Sequence, residues 1–251
     1  MPIQRIKKFG KGIQEDLKIL LTYFKLSLSG NKVDRRTNFR KCSSPVLLIY
    51  GFGAGRRVMH ILERRLRRDG FCVFSLNLGG VFGTFNTHCI EALSKLVKRK
   101  IKTLRERYRL PKISIIGHSK GGLIGQYYVK RLQGDRHVKT LITLGTPHYG
   151  NPLVLLGLVS PLAIVSKSVW QMYPLAPFLR RLNRGRFPKN VRFVSIYSKK
   201  DKICYYKSAI LKIPRNTRNM KNIELENIGH VDYLIKKEAY QVIRRELTTS
   251  S

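Results

Sequence analysis

The sequence predicts an α/β architecture, a mainly parallel sheet with helices on both faces and an inserted cap or lid, from three observations. From Pro45 onward, short apolar runs alternate with longer segments whose apolar residues recur at helical spacing. Glycine turns close some of these runs, as at Gly51-Phe52-Gly53. The chain has 251 residues, enough for one well-buried core. Parallel strands need crossover connections, so this alternation implies βαβ units, with ligand sites at the carboxyl ends of the strands.

Residues 3 to 24 place Ile3, Ile6, Phe9, Ile13, Leu17, Leu20, Leu21 and Phe24 at helical spacing among lysines, weakened by Gly10 and Gly12. This reads as a basic amphipathic helix within an N-terminal extension, residues 1–44, lying on a membrane surface or packed on the domain. Residues 45–251 form the α/β domain. Its first strand, Val46 to Tyr50, leads through the glycine turn to a helix marked by Val58, Ile61, Leu62 and Leu66. A strand at Phe71 to Leu76 follows, then a long helix through Ile90, Leu93, Leu96, Val97, Ile101 and Leu104. Next come a strand at Ile113 to Ile116, a helix from about Gly121 and a strand at Val138 to Leu144. Prolines, leucines and Trp170 break the pattern over about 151–188, the expected cap or lid. Strands at Val191 to Tyr197 and Ile223 to Leu225 resume it, and a helix from about Asp232 ends the chain.

Composition narrows the function classes. Hydrophobic residues at 43% and charged residues at 25% are those of a globular protein. Fifty Lys and Arg against fourteen Asp and Glu give a formal net charge of +36, a field that attracts anionic membrane, nucleic acid or anionic substrate, or that reflects a basic-biased proteome or simple solubility; charge alone does not choose. Cys42, Cys72, Cys89 and Cys204 show none of the close spacings of zinc or redox motifs, so no metal, no cofactor and no disulfide framework is expected, and Cys72 reads as a core residue in a reducing compartment. The apolar stretch from Ile19 to Phe24 follows Glu15 and Asp16 and is too short for a signal-peptide core. The longest uncharged stretch, Thr140 to Ser166, contains Gly145, Pro147, Gly150, Pro152 and Pro161 and cannot be a regular spanning helix. A cytoplasmic protein is expected, peripheral on the inner face of the membrane where the basic extension binds it.

The chemistry concentrates at Gly117-His118-Ser119-Lys120-Gly121, which follows the apolar strand and precedes a helix. A nucleophile on a sharp strand-to-helix turn exposes its hydroxyl, and side chains two residues to either side would collide; Gly117 and Gly121 remove them. The helix N-terminus favours the negative charge that develops in acyl transfer, with the backbone N–H of Lys120 as one oxyanion donor. A serine hydroxyl needs a base, and in this arrangement the acid and then the histidine follow the serine in the chain. Between His148 and His230 the latter is preferred, because Asn227-Ile228-Gly229-His230 can form a loop over the sheet edge whereas His148 lies in a Gly-Thr-Pro-His turn. Asp201 is chosen as the acid, closing a strand's carboxyl end, over Glu224 and Glu226 in or beside the last strand. The second oxyanion donor is expected to be the backbone N–H of Phe52.

On these residues the chain resembles bacterial lipases and esterases of the α/β-hydrolase superfamily over about residues 45 to 240. The matching segments are Gly51-Phe52-Gly53-Ala54-Gly55, Gly117 to Gly122, Leu144-Gly145-Thr146-Pro147-His148-Tyr149-Gly150, Tyr197 to Asp201, and Gly229-His230-Val231. The resemblance implies an enzyme acting on acyl esters. Two departures stand out: Tyr50-Gly51 where the family usually has His-Gly, and Lys120 where Met or Gln is common. The ammonium of Lys120 is expected near the nucleophile, meeting a phosphate or reaching solvent.

The function expected is therefore a serine esterase or lipase passing through an acyl-enzyme, with a lipid or other acyl-ester substrate. Leu153, Leu155, Leu156, Leu158, Val159, Leu162, Ile164, Val165 and Trp170 would form an acyl-binding cap. An acyltransferase would use the same triad. A catalytically silent module on anionic membrane or nucleic acid is the reading from another class, and the ordered triad argues against it, so nucleic acid is not an expected partner.

Overall fold

The computed structural model describes residues 25, 30–31, 37–80, 83, 85–152 and 166–249. The amphipathic segment at residues 3 to 24 and the apolar cap residues from Leu153 to Val165 lie outside these. Among the described residues, six strands form one sheet: β1 (Pro45–Ile49), β2 (Cys72–Ser75), β3 (Ile113–His118), β4 (Val138–Leu144), β5 (Arg192–Tyr197) and β6 (Met220–Glu224). Their order is β2-β1-β3-β4-β5-β6 and every pairing is parallel.

Every residue of β1 and of β3 is buried, as a central parallel strand covered on both faces requires. The helices that cover them are α1 (His60–Arg68), α2 (Ile90–Tyr108) and α3 (Lys120–Arg131), joined by the short α4 (Lys167–Gln171), α5 (Pro177–Asn183) and α6 (Tyr206–Ala209), and by α7 (Asp232–Ile235) and α8 (Lys237–Thr248). Ile90, Leu93, Val97, Ile101 and Leu104 form the buried stripe of α2 at the spacing the sequence shows.

β6 begins at Met220, ahead of the apolar run in the sequence. It is an edge strand, half-solvated along its length, so its polar Lys221 and Asn222 hide it from a reading based on hydrophobicity. Within the expected insertion, α5 packs Phe178, Leu179 and Leu182 into the main core, and Gln126 and Lys130 of α3 hydrogen-bond to its last residue, Asn183. Trp170 on α4 and Leu175 after it stand 56% and 76% exposed. Cys42 and Cys72, far apart in sequence, meet through their side chains where the chain enters the sheet; burial first, then this neighbour, pushes the Cys42 thiol up to about 12.

Candidate active site

The candidate nucleophile sits where β3 gives way to α3. Ser119 has φ 54° and ψ −125°, a conformation costing on the order of 1–3 kcal/mol that surrounding bonds must hold. Its N–H donates to Leu144 O at 2.9 Å, and its carbonyl accepts from Gly122 N–H at 3.0 Å and from the Thr146 hydroxyl at 2.9 Å. The flanking glycines allow the backbones to touch. A Cβ on Gly117 would come within 2.6 Å of Gly121 C, and one on Gly121 within 2.7 Å of Ile49 C.

The same end of β4 receives the other two candidates. Asp201, in the turn after β5, accepts a hydrogen bond from His230 Nδ1 on Oδ2 at 2.9 Å. Its Oδ1 accepts from the backbone N–H of Ile203 at 2.9 Å and of Cys204 at 2.8 Å. These bonds place the His230 proton on Nδ1 and leave Nε2 as the basic nitrogen. Gly145 makes the approach possible: at φ +51°, a Cβ there would lie 2.7 Å from Tyr233 Cε2, 2.8 Å from Asp201 Oδ2 and 3.3 Å from His230 Nδ1. The glycine of the Gly-Thr-Pro-His segment is thus the contact point between the serine's turn and the Asp–His pair.

His118, inside the serine motif itself, is a residue that reading motifs alone passes over. It is buried, and its Nε2 bonds to the His230 carbonyl at 2.8 Å with the two rings 4.7 Å apart. Burial, reinforced by neighbouring His230, holds it down to about 3, so it stays neutral and donates from Nε2. It fixes the backbone that carries His230. A histidine directly before the serine, at the end of a buried strand, was the available signal.

The other histidine and the two glutamates lie elsewhere. His148 is buried between Gln126 Oε1 at 2.8 Å and Thr143 Oγ1 at 3.2 Å. Glu224 is exposed on β6, paired with Lys199 Nζ at 2.9 Å, and Glu226 is exposed beyond it.

On the opposite side, the turn after β1 lies against the serine: a Cβ on Gly51 would be 2.9 Å from Ser119 Cβ. The Tyr50 hydroxyl accepts the Leu78 N–H at 2.9 Å and lies 3.3 Å from Asn31 Oδ1, so the residue standing for the family's usual histidine anchors this turn from beneath. Lys120 corrects the sequence reading. Its side chain does not reach solvent; it is fully buried, and Nζ spends its three donors on Asn86 O at 2.6 Å, Asn86 Oδ1 at 3.1 Å and His88 O at 2.6 Å. Two buried acceptors on Asn86 and a partly buried one on His88 outcompete solvent for an ammonium whose stem is already enclosed. Asn86 carries no recognisable motif and could not be found from the sequence.

Among the described residues, no group of His, Cys, Asp and Glu is placed to hold a metal ion, and no helix is long and apolar enough to cross a membrane.

Comparison with known proteins agrees with this architecture. The profile of the α/β-hydrolase fold family matches residues 44–184, more than half of the chain, and the chain belongs to that family. Similar solved structures include a Bacillus licheniformis lipase in its mature form, with TM-score 0.67 and 14% identity over 87% of this chain and 96% of that one. Aspergillus fumigatus lipase B superposes with TM-score 0.71 and 20% identity over 88% of this chain and 56% of that one. A Paleococcus ferrophilus monoacylglycerol lipase gives TM-score 0.61 and 14% identity over 84% and 97%. No curated protein matches the sequence.

Proposed function

We propose that this chain is a serine hydrolase of carboxylic esters, acting on lipid-like acyl esters through an acyl-enzyme. The observation that carries this reading is the 2.9 Å Asp201–His230 bond at Gly145, the residue next to the one that holds the Ser119 turn. His230 Nε2 takes the Ser119 proton as Oγ attacks the ester carbonyl, and the backbone N–H groups of Phe52 and Lys120 receive the oxyanion. His230 then returns the proton to the leaving alkoxide. Water, deprotonated by the same nitrogen, releases the acid and restores Ser119. Asp201 holds the imidazole tautomer and stabilises the imidazolium between the two transfers.

A lipid-like substrate fits the rim. Ile203 and Tyr205, 52% and 46% exposed, follow Asp201 directly, and the Asn151 side chain ties Ile203 O to the segment carrying Trp170, Tyr173 and Leu175. Lys199, Lys200, Lys202 and Lys207 are exposed and flank Ile203 and Tyr205 along the chain, a charge that suits an anionic lipid surface. The similar structures include lipases and a monoacylglycerol lipase.

Ser119→Ala is expected to lower turnover of p-nitrophenyl esters by about 10⁶ and abolish fluorophosphonate labelling, with the protein still folded. Wild-type turnover in this variant would remove the mechanism. Sedimentation with anionic vesicles is expected to exceed that with neutral vesicles and to fall with salt; equal binding to both would leave the charge without this role.

A further inference from the structure

The proton transfers make no use of the Lys120 side chain, yet an ammonium is buried beside the turn that carries the other oxyanion donor. Its three N–H groups meet three acceptors, two of them on Asn86. Because Nζ can only donate, it fixes the Asn86 amide with Oδ1 toward the lysine and Nδ2 toward the turn. Both hydrogens of Nδ2 are then used, on Tyr50 O at 2.7 Å and Gly51 O at 3.0 Å. In a trans peptide the C=O and the following N–H point in opposite directions. A Gly51 carbonyl held by Asn86 therefore turns the Phe52 N–H away from Asn86, on a turn whose Gly51 Cα borders Ser119. Asn86 is itself pinned: it is fully buried in the left-handed region at φ 42°, and its N–H donates to Gly79 O at 2.9 Å. Gly53 N–H donates to Phe85 O at 2.9 Å, closing the turn from the other end.

We propose that Lys120 is a positioning residue which, through Asn86, holds the Gly51–Phe52 peptide with its N–H toward the oxyanion, so that both donors of the hole depend on one residue. Lys120 supplies one donor from its own backbone and aims the second with its side chain. The assignment rests on the serine-hydrolase reading above.

Three variants and a transition-state mimic test it. Lys120→Met, Asn86→Asp and the double variant are assayed for kcat and KM on a soluble p-nitrophenyl ester and for affinity toward an alkylboronic acid, which forms a tetrahedral adduct on serine. Asn86→Asp keeps an acceptor for the ammonium while losing both donors to the turn, so it probes the link even if Lys120→Met fails to fold. An oxyanion donor removed elsewhere costs about 10²–10³ in kcat. Each single variant is expected to lose kcat on that order and boronate affinity by a similar factor, with KM nearly unchanged, because the interaction exists only in the transition state. The double variant is expected to be no worse than the poorer single, since both break one chain of bonds. Wild-type kcat and boronate affinity in Asn86→Asp, or losses that multiply in the double variant, would overturn the proposal. Ser119→Ala runs in parallel: retained turnover there sinks the serine-hydrolase reading itself, while its loss together with a normal Asn86→Asp sinks the Lys120 assignment alone.

Discussion

The two sides of the Ser119 turn are held by opposite electrostatic means. On the β5 side a carboxylate is gripped by donors: Asp201 accepts from His230 and from two backbone N–H groups. On the β1 side an ammonium is gripped by acceptors: Lys120 donates to Asn86 twice and to His88. A charged residue in each place imposes order on polar groups that would otherwise have several orientations, and each charge is compensated within the same fold. The difference lies in what is ordered. Asp201 orients an imidazole side chain, whereas Lys120, through Asn86, orients backbone amides.

Asp201→Asn attacks the first side, and an equivalent change in a serine triad costs about 10⁴ in kcat. The expected result here is a loss of that order in ester turnover, with circular dichroism unchanged. A near-wild-type rate would show that the β5 side does not depend on its charge.

A smaller effect separates the second side by pH. Burial holds the Lys120 ammonium down to about 7, opposed by the nearby Cys89 thiol when ionised; the other groups facing it are the Phe52 ring and the carbonyls of Asn86 and His88. The ammonium predominates below that value, and losing a proton as pH rises removes one of three donors. kcat is therefore expected to fall on the alkaline side by up to about 10², the scale of one oxyanion donor, and Lys120→Met is expected to lose that limb. An alkaline limb of equal size in Lys120→Met would assign it to another group.

The smallest effect is the control. Glu224→Gln breaks an exposed pair with Lys199, which water and salt screen. Turnover within about twofold of wild type is expected. A loss rivalling that of Asp201→Asn would move the acid to β6.

Legibility in the sequence followed distance along the chain. The sheet could be read because each parallel strand is a short apolar run, and only the half-solvated β6 was blurred. Ser119 stood out through glycines two residues away, and the pairing of Asp201 with His230 followed from chain order and from which acid ends a strand. The orientation of Lys120 was misread because its partners, Asn86 and His88, come from a loop with no periodic signal. His118 and the Cys42–Cys72 contact were missed for the same reason: both depend on what folding brings together.

The grip on Asp201 by main-chain N–H groups has a consequence for remodelling the rim. Any residue except proline can supply the amide at positions 203 and 204, so the side chains of Ile203 and Tyr205 can be exchanged for smaller, larger or more polar ones without withdrawing a bond from the carboxylate. Exchange of the exposed side chains and retention of the Asp201–His230 bond are thereby separable within a few consecutive residues. In the serine hydrolase proposed above, a library varied at 203 and 205 is expected to shift the preferred acyl length while Asp201 keeps its main-chain bonds.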